Sequence, residues 1–195
     1  MASEPSSTAA AIVTSARALL VTRGYNGFSY ADIAETVGIS KPSIHHHFPS
    51  KAALVRRVVA DYRAEAQAGM EALSQQLADP VARLKAWTNF WQACLRDGTL
   101  PFCVCALLAT EMPAIPDDVA VVVRGHFDDL SGWLANLLAE GAHAGQFRLH
   151  GTAPAEALSF MAAIHGAMIS ARAYRDPEMF VAISTALVAR LSATH

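Results

Sequence analysis

The segment from Ser29 to Lys51, SYADIAETVGISKPSIHHHFPSK, places the strongest constraint on the fold. Ser29 followed by Asp32 is typical of a capping box that opens a helix, and Ser40 is typical of the N-cap of a second helix. Gly38 allows a tight turn between the two. The apolar residues of the segment can share one buried face: Ile33, Val37, Ile39, Ile44 and Phe48. This arrangement predicts a helix-turn-helix, whose second helix can be offered to the major groove of DNA.

Apolar residues recur with the helical period of 3.6 along the rest of the chain, and no segment shows a convincing strand pattern. Hydrophobic residues make up 53% of the 195 residues and charged residues 16%, which favours a packed globular protein over disorder. Typical N-caps precede several segments (Ser50, Asp79, Asp176), and glycines mark expected helix stops (Gly24, Gly98, Gly145, Gly151). We therefore predict an all-α fold of nine helices, over residues 8–23, 29–37, 41–47, 51–77, 80–97, 103–112, 117–144, 153–173 and 177–193.

Charge is distributed unevenly along the chain. Residues 1–63 carry seven Lys/Arg and four Asp/Glu, whereas residues 64–195 carry eight and thirteen. A basic N-terminal third on an otherwise acidic protein indicates a polyanionic partner that is met by this third alone.

The second helix of the quoted segment is basic and polar. Lys41 and Lys51 fall in the first turns of their helices, where a cation opposes the helix dipole unless a phosphate binds there. Exposed lysines can also tolerate this small penalty, so both interpretations stay open. His45, His46 and His47 point in directions about 100° apart and cannot close on one metal ion. We expect groove or surface contacts from the first two, with His47 partly packed.

The N-terminal stretch resembles the DNA-binding domain of TetR-family transcriptional regulators. The family phrase T-x-x-D-I-A-x-x-A-G-V-S-x-G-x-L-Y-x-H-F-x-S-K-E-x-L is matched over residues 29–54, and RGYNGF before it also looks like the family's link between its first two helices. The similarity covers roughly residues 8–60. There are departures, because His45 replaces a usual Tyr, Pro42 replaces Gly or Ala, and alanine at 52 or 53 replaces Glu. A histidine contact with phosphate would depend on pH.

The resemblance implies an N-terminal DNA-binding domain over residues 1–50 and a C-terminal ligand-binding and dimerisation domain over residues 51–195. It implies a homodimer whose two heads enter successive major grooves of a near-palindromic operator, and a repressor that a small apolar or aromatic effector releases. Whether the effector releases or strengthens binding stays open. Carried onto this sequence, the candidate DNA contacts are Tyr30, Ser40, Lys41, Ser43, His45, His46 and Lys51.

Aromatic and methionine residues recur at helical spacing in the C-terminal part, notably on helices 80–97, 117–144 and 153–173. Such faces occur both in packed cores and in ligand pockets, and only the resemblance favours a pocket. The candidate ligand-binding residues are Trp87, Phe90, Trp91, Cys94, Cys103, Leu108, Phe127, Trp133, Met161, His165 and Met168. His165, Glu111 or Arg124 would supply polar contacts to the effector.

Small residues four apart on helix 153–173, together with the apolar face of helix 177–193, allow a second helix pair to approach closely. Two such pairs can form a four-helix contact about a two-fold axis. The same rows can also pack inside one subunit, and the resemblance favours the dimer. The candidate interface residues are Ala163, Gly166, Ala167, Ser170, Phe180, Ser184, Leu187 and Leu191.

The chain has three cysteines and no recognisable export signal, which predicts reduced thiols in a cytoplasmic protein. Cys103 and Cys105 diverge by roughly 200° on a helix, which makes them a poor pair for one metal or one disulfide. Their segment nevertheless resembles a region in a TetR branch that includes N-ethylmaleimide-responsive repressors, some of which sense electrophiles or oxidants through cysteine. A repressor that senses through Cys103 or Cys105 is therefore the alternative. We predict no enzyme, cofactor, metal or membrane span, because no corresponding motif is present.

Overall fold

The structure, a computed structural model, describes residues 7–192 of the chain. Its helices are α1 (Ser7–Arg23), α2 (Tyr30–Val37), α3 (Lys41–His47), α4 (Lys51–Gln76), α5 (Pro80–Asp97), α6 (Val104–Thr110), α7 (Asp117–His143), α8 (Ala153–Tyr174) and α9 (Pro177–Leu191). A 3₁₀ turn, Met112–Ala114, follows α6. Within residues 7–192 the β structure amounts to one isolated antiparallel bridge between Phe147 and Ser192. The predicted all-α fold of nine helices is confirmed.

The predicted helix ends are set by the local signals that indicated them. Ser29 and Asp32 form the capping box, and the other predicted N-caps accept backbone N–H groups as expected: Ser40, Ser50, Asp79 and Asp176. Four of the predicted stop glycines have φ between 71° and 74° (Gly24, Gly38, Gly98, Gly145). Gly151 was wrongly placed as a stop, since it precedes Thr152, the N-cap of α8.

The predicted ends of two helices, α6 and α9, differ from those of the structure. Helix α6 ends at Thr110 rather than at residue 112, because Pro113 cannot continue an α-helix and the chain passes into the 3₁₀ turn. At its other end, the Cys103 sulfur caps the helix by accepting the Ala106 N–H at 3.4 Å. The predicted end of the last helix at residue 193 lies outside the described residues.

The chain divides into two compact units. Among the described residues, the N-terminal unit comprises residues 7–65 and 103–126, and the C-terminal unit comprises residues 66–102 and 127–192. Helices α4 and α7 contribute residues to both. The division into domains at residue 50, which follows the family resemblance, stays a prediction.

In the N-terminal unit, α1 packs against α2, α3 and α6. These helices and the first turns of α4 bury fully inaccessible aliphatic side chains: Ile12, Leu20, Ile33, Ile44, Leu54, Val55 and Leu108. Because α3 has only seven residues, it is too short to be stable alone. Its Ile44 side chain, buried in this core, holds it in place.

In the C-terminal unit, α9 packs against both α5 and α8. Its interior contains Leu84, Leu134, Leu138, Ile164 and Phe180, all with no accessible surface. Arg96 on α5 also makes a two-pronged ion pair with Glu178 on α9, at 2.6 and 2.8 Å. None of the helices described between residues 7 and 192 is long and apolar enough to span a membrane.

Candidate nucleic-acid interface and ligand-binding residues

Helices α2 and α3 are held together by bonds that leave one face of α3 outside. The Tyr30 hydroxyl donates to the Phe48 carbonyl oxygen at 2.8 Å, and the Phe48 N–H donates to the Ile44 carbonyl oxygen at 2.8 Å. At the turn, Gly38 has φ 73° and its N–H donates to the Ala34 carbonyl oxygen at 2.9 Å. The buried bond from Tyr30 therefore ties the start of α2 to the end of α3, and the tight turn at Gly38 joins the two helices.

The outer face of α3 presents hydrogen-bonding groups and no acid. Ser40, Lys41, His45 and His46 are exposed, while Ser43 and His47 are half-buried. Within residues 40–47 there is no Asp or Glu to repel a polyanion. This face can donate hydrogen bonds to phosphate oxygens and to base edges.

His45 is exposed but not free to rotate. Its ring lies edge-on to Tyr30 at a centroid distance of 4.7 Å, and its Nδ1 lies 3.4 Å from the Pro49 carbonyl oxygen. Donation from Nδ1 to that carbonyl leaves Nε2 without a proton in the neutral ring. A contact from Nε2 to a phosphate therefore requires the imidazolium form.

Tyr30, a predicted DNA contact, instead makes a hydrogen bond inside the N-terminal unit. Its side chain is buried and its hydroxyl is bonded to the Phe48 carbonyl oxygen inside the unit. Burial, followed by the nearby Tyr25, raises the pKa of Tyr30 to about 12. A buried donor that is already paired cannot also reach a phosphate, so the prediction of a DNA contact from Tyr30 is corrected.

Lys51 is also engaged inside the N-terminal unit. Its Nζ donates to the Phe28 carbonyl oxygen at 2.5 Å, and it lies 4.2 Å from the Phe28 ring centroid and 4.8 Å from that of Tyr25. Burial lowers the pKa of Lys51, and the charges of Asp32 and Glu111 act in the opposite direction. The ammonium thus supports the loop before α2, and Lys41 is the more available cation of the two.

Comparison with protein families identifies both parts of the chain. Residues 12–58 match the family described as bacterial regulatory proteins of the tetR family, and residues 80–187 match the tetracyclin repressor-like C-terminal domain. The chain belongs to the TetR family. The resemblance of the N-terminal motif is thereby confirmed, and the second match shows that the family assignment extends to the C-terminal part.

Solved structures agree with this assignment. A TetR-family transcriptional regulator from Agrobacterium tumefaciens is 49% identical, with 97% of this chain and 100% of that chain covered and a TM-score of 0.95. NemR of E. coli in its reduced form shares the fold at 20% identity, with coverage of 96% and 99% and a TM-score of 0.82. A regulatory protein TetR from Rhodobacter sphaeroides does so at 20% identity, with coverage of 93% and 97% and a TM-score of 0.86. Comparison with curated proteins gives no match.

The C-terminal unit of this TetR-family chain contains an aromatic cluster. The Trp87 ring centroid lies 6.2 Å from that of Trp133 and 6.5 Å from that of Phe160. The Trp133 indole N–H donates to the Ser74 hydroxyl at 3.0 Å. The sequence-based list of ligand-binding candidates does not include Phe160. The helical period could have indicated it, because Phe160 begins a buried row on α8 with Ile164, Ala167 and Ala171.

A second ring pair joins α7 and α8, where Phe127 and His165 lie edge-on at a centroid distance of 5.2 Å. Burial lowers the pKa of His165 to about 4, so the imidazole is neutral at physiological pH. Met161 and Met168, on the same helix as His165, are buried. These side chains form an apolar environment that contains one uncharged polar group.

The remaining ligand-binding candidates are distributed differently from the prediction. Trp91 and Cys94 are buried with Trp87 on one face of α5, but Phe90 is 51% exposed. Phe90 lies at the edge of the buried arc of α5, and neighbouring helices leave half of it uncovered. Cys103 and Leu108 are buried in the N-terminal unit, not in the C-terminal unit with the other candidates.

Cys103 lies among polar side chains but is not activated by them. Its sulfur is 3.9 Å from Nε2 of His126, and Tyr62 also bonds to it. Burial raises the pKa of Cys103 despite those hydrogen bonds, and it raises the pKa of Cys105 as well. The thiolate is the reactive form of cysteine, so burial disfavours reaction at both residues. In the part of the chain that the structure describes, no three His, Cys, Asp or Glu side chains are placed to hold a metal ion.

We expect Cys103 and Cys105 to react with N-ethylmaleimide on the order of tenfold more slowly in the folded protein than in urea, because both thiols are buried and burial disfavours the reactive thiolate. Labelling at neutral pH followed by peptide mass mapping distinguishes the two from Cys94. Rapid, selective modification of Cys103 in the folded protein would instead favour the cysteine-sensing alternative.

The predicted dimer residues separate into two groups. Ala167, Phe180, Ser184 and Leu191 are buried inside their own subunit, and Ser184 accepts a hydrogen bond from Gln92 on α5 at 3.1 Å. They have almost no accessible surface to offer a partner, which corrects the prediction for these four. Gly166 is exposed, and three are half-buried: Ala163, Ser170 and Leu187.

Proposed function

We propose that this TetR-family protein is a homodimeric transcriptional repressor that a small apolar or aromatic effector releases from a near-palindromic operator. The observation that carries the proposal is the outer face of α3, which is polar, free of acids and rigidly supported. Phosphate contacts would supply most of the affinity, and side chains on α3 would read base edges.

The DNA-contacting set that the structure supports is Ser40, Lys41, Ser43, His45 and His46. Lys41 is the exposed cation at the start of α3, and the two histidines lie at its opposite end. Asp32, one of the two acids on α2, accepts hydrogen bonds from the Ser29 hydroxyl and N–H at 2.8 Å and from Arg23 at 2.8 Å. These bonds lower the pKa of Asp32 to about 2, and the positive charge of Arg23 in the ion pair offsets part of the repulsion between this carboxylate and phosphate.

The effector would contact the aromatic cluster of Trp87, Trp133 and Phe160, together with Phe127 and His165. A neutral imidazole among apolar side chains favours an uncharged ligand, because burial of a charge is costly unless the charge is paired. The effector can shift the protein only by its differential affinity for the DNA-binding and released conformations.

The dimer would form through the exposed face of α8. Leu158 and Ile169 are 54% and 52% exposed, and the exposed Ala162 and Gly166 lie between them on the same face. On α9, which packs against α8, three residues spaced one turn apart are also exposed: Glu178, Ala182 and Ala186. Large apolar side chains that flank small ones let a second copy approach closely about a two-fold axis.

The direct test uses a labelled duplex from upstream of the protein's own gene and a scrambled duplex of equal length. Fluorescence anisotropy at low salt should show tight binding of the first and weak binding of the second. If a confirmed dimer binds neither duplex, and selection from a random pool also yields no preferred sequence, the proposed function is wrong.

We expect Lys41→Ala to reduce the slope of log affinity against log salt by about one, since one phosphate contact is lost. Lys51→Ala is the matched variant, and its main effect should be a loss of stability of about 1–3 kcal/mol because the Phe28 carbonyl loses its buried donor. Anisotropy across a salt series and urea unfolding measure the two effects. An unchanged slope for Lys41→Ala would contradict its assigned contact.

A further inference from the structure

The turn between α1 and α2 is fastened by a residue that is distant in sequence. Gly24 closes α1, with φ 74° and its N–H donated to the Leu20 carbonyl oxygen at 2.9 Å. The next N–H, that of Tyr25, leaves the helix and donates to Oε2 of Glu111 at 2.7 Å. Glu111 follows α6, 86 residues further along the chain.

The carboxylate of Glu111 occupies space that only glycine leaves open. A Cβ atom on Gly24 would lie 2.2 Å from Oε1 and 3.0 Å from Cδ of Glu111. Two features therefore favour glycine at position 24: the positive φ and the close approach of a carboxylate. The contact therefore requires both the glycine at position 24 and the carboxylate at position 111.

Electrostatics alone would not place a carboxylate here. The C-terminal end of a helix carries partial negative charge, so an acid beside the end of α1 is disfavoured. The Tyr25 N–H and the nearby ammonium of Lys51 offset that cost, and the charge of Glu111 in turn raises the pKa of Lys51 against the effect of burial. Since Lys51 also bonds to the Phe28 carbonyl oxygen, the turn over residues 24–28 is held from two sides.

The backbone of Glu111 is fixed to α6. Its N–H donates to the Leu108 carbonyl oxygen at 3.0 Å, and its own carbonyl oxygen accepts the Ala114 N–H at 2.8 Å. Helix α6 is anchored in the core of the N-terminal unit by the fully buried Val104, Cys105 and Leu108. The carboxylate consequently moves with α6, and the turn it holds leads directly into the Ser29 cap of α2.

We propose that Glu111 is a positioning residue for operator recognition, whose carboxylate sets the turn before α2 and so ties the presentation of α3 to the position of α6. The connection continues from α2 to the end of α3 through the bond between Tyr30 and Phe48. This inference rests on the proposed DNA-binding function. A displacement of α6 would withdraw the carboxylate and release the turn.

The test compares Glu111→Ala, Glu111→Asp and Glu111→Gln, with Glu71→Ala as a control at an exposed helical glutamate. The probes are the best duplex that the wild-type protein selects from a random-sequence pool and a scrambled duplex. The readout is the ratio of the two affinities, together with amide hydrogen exchange at Tyr25. A general loss of folded protein weakens binding to both duplexes alike and leaves the ratio unchanged.

We expect Glu111→Ala to lower the ratio about tenfold and to speed exchange at Tyr25, as a coupling of ordinary size would. Glu111→Asp, which withdraws the carboxylate by one methylene, should show a smaller loss, and Glu111→Gln, which keeps an acceptor, should restore most of the ratio. If the alanine variant does not fold, the affinity ratio of Glu111→Asp tests the inference in its place. An unchanged ratio in a folded Asp or Ala variant overturns the inference, whereas failure of the wild-type protein to enrich any duplex overturns the proposed function itself.

Discussion

Replacing Phe180 with alanine should lower the free energy of unfolding by about 3–5 kcal/mol, the usual cost of removing a fully buried phenyl ring. Phe180 has no accessible surface and lies on α9, which packs against α5 and α8 within one subunit. Its loss leaves a cavity that the surrounding helices cannot fill without moving. Urea unfolding followed by circular dichroism, at several protein concentrations, measures the change.

Phe90→Ala is the matched control, because it removes the same side chain from a position that is 51% exposed. Its cost should stay near or below about 1.5 kcal/mol, since half of the ring is already in water. Equal effects of the two substitutions would contradict the packing described here. A Phe180→Ala effect that disappears at high protein concentration would return Phe180 to the dimer interface.

The two phenylalanines show which part of the fold could be predicted. Helix ends were predictable because their signals are local, as in the Ser29 and Asp32 capping box and the left-handed Gly38. Helical spacing then shows which residues share a face. It does not show which neighbour covers that face, so Phe180 was assigned to a dimer and Phe90 to a pocket.

The candidate DNA interface was likewise predictable only in part. The exposed character of Lys41, His45 and His46 follows from their place on a short polar helix with Ile44 as its buried residue. The inward turn of Lys51 could not be predicted, because its acceptor, the Phe28 carbonyl oxygen, lies 23 residues away in the chain.

Contacts between residues distant in sequence also join both ends of α6 to the rest of the N-terminal unit. Glu111 meets Tyr25 across 86 residues, and Cys103 meets His126 across 23. Cys103 and Glu111 lie at opposite ends of α6. This seven-residue helix therefore connects the buried region around Tyr62 and His126 with the turn before α2. The cysteine-sensing alternative, which the resemblance around Cys103 raised, stays a prediction; in the structure Cys103 is a buried helix cap.

Ile169→Asp should separate the proposed dimer and, with it, abolish tight operator binding. A two-fold interface contains the substitution twice, and each copy places an unpaired carboxylate where an apolar side chain was buried. The effective penalty for burying a charge is several kcal/mol per ion. A total of at least about 4 kcal/mol, or roughly a thousandfold in the dimer dissociation constant, is expected. A single head would then bind DNA without the gain of about 10²–10⁴ that linking two heads provides.

Val121→Asp is the matched control, because Val121 is an aliphatic residue of comparable exposure, 58%, on α7 in the N-terminal unit. Sedimentation equilibrium should show a monomer for Ile169→Asp and a dimer for the control, with unchanged circular dichroism for both. Because Ile169 is 52% exposed in the single subunit, the substitution acts on association and spares the fold. A dimeric Ile169→Asp protein would move the interface away from this face of α8, and a monomer that still binds the operator tightly would separate DNA recognition from dimerisation.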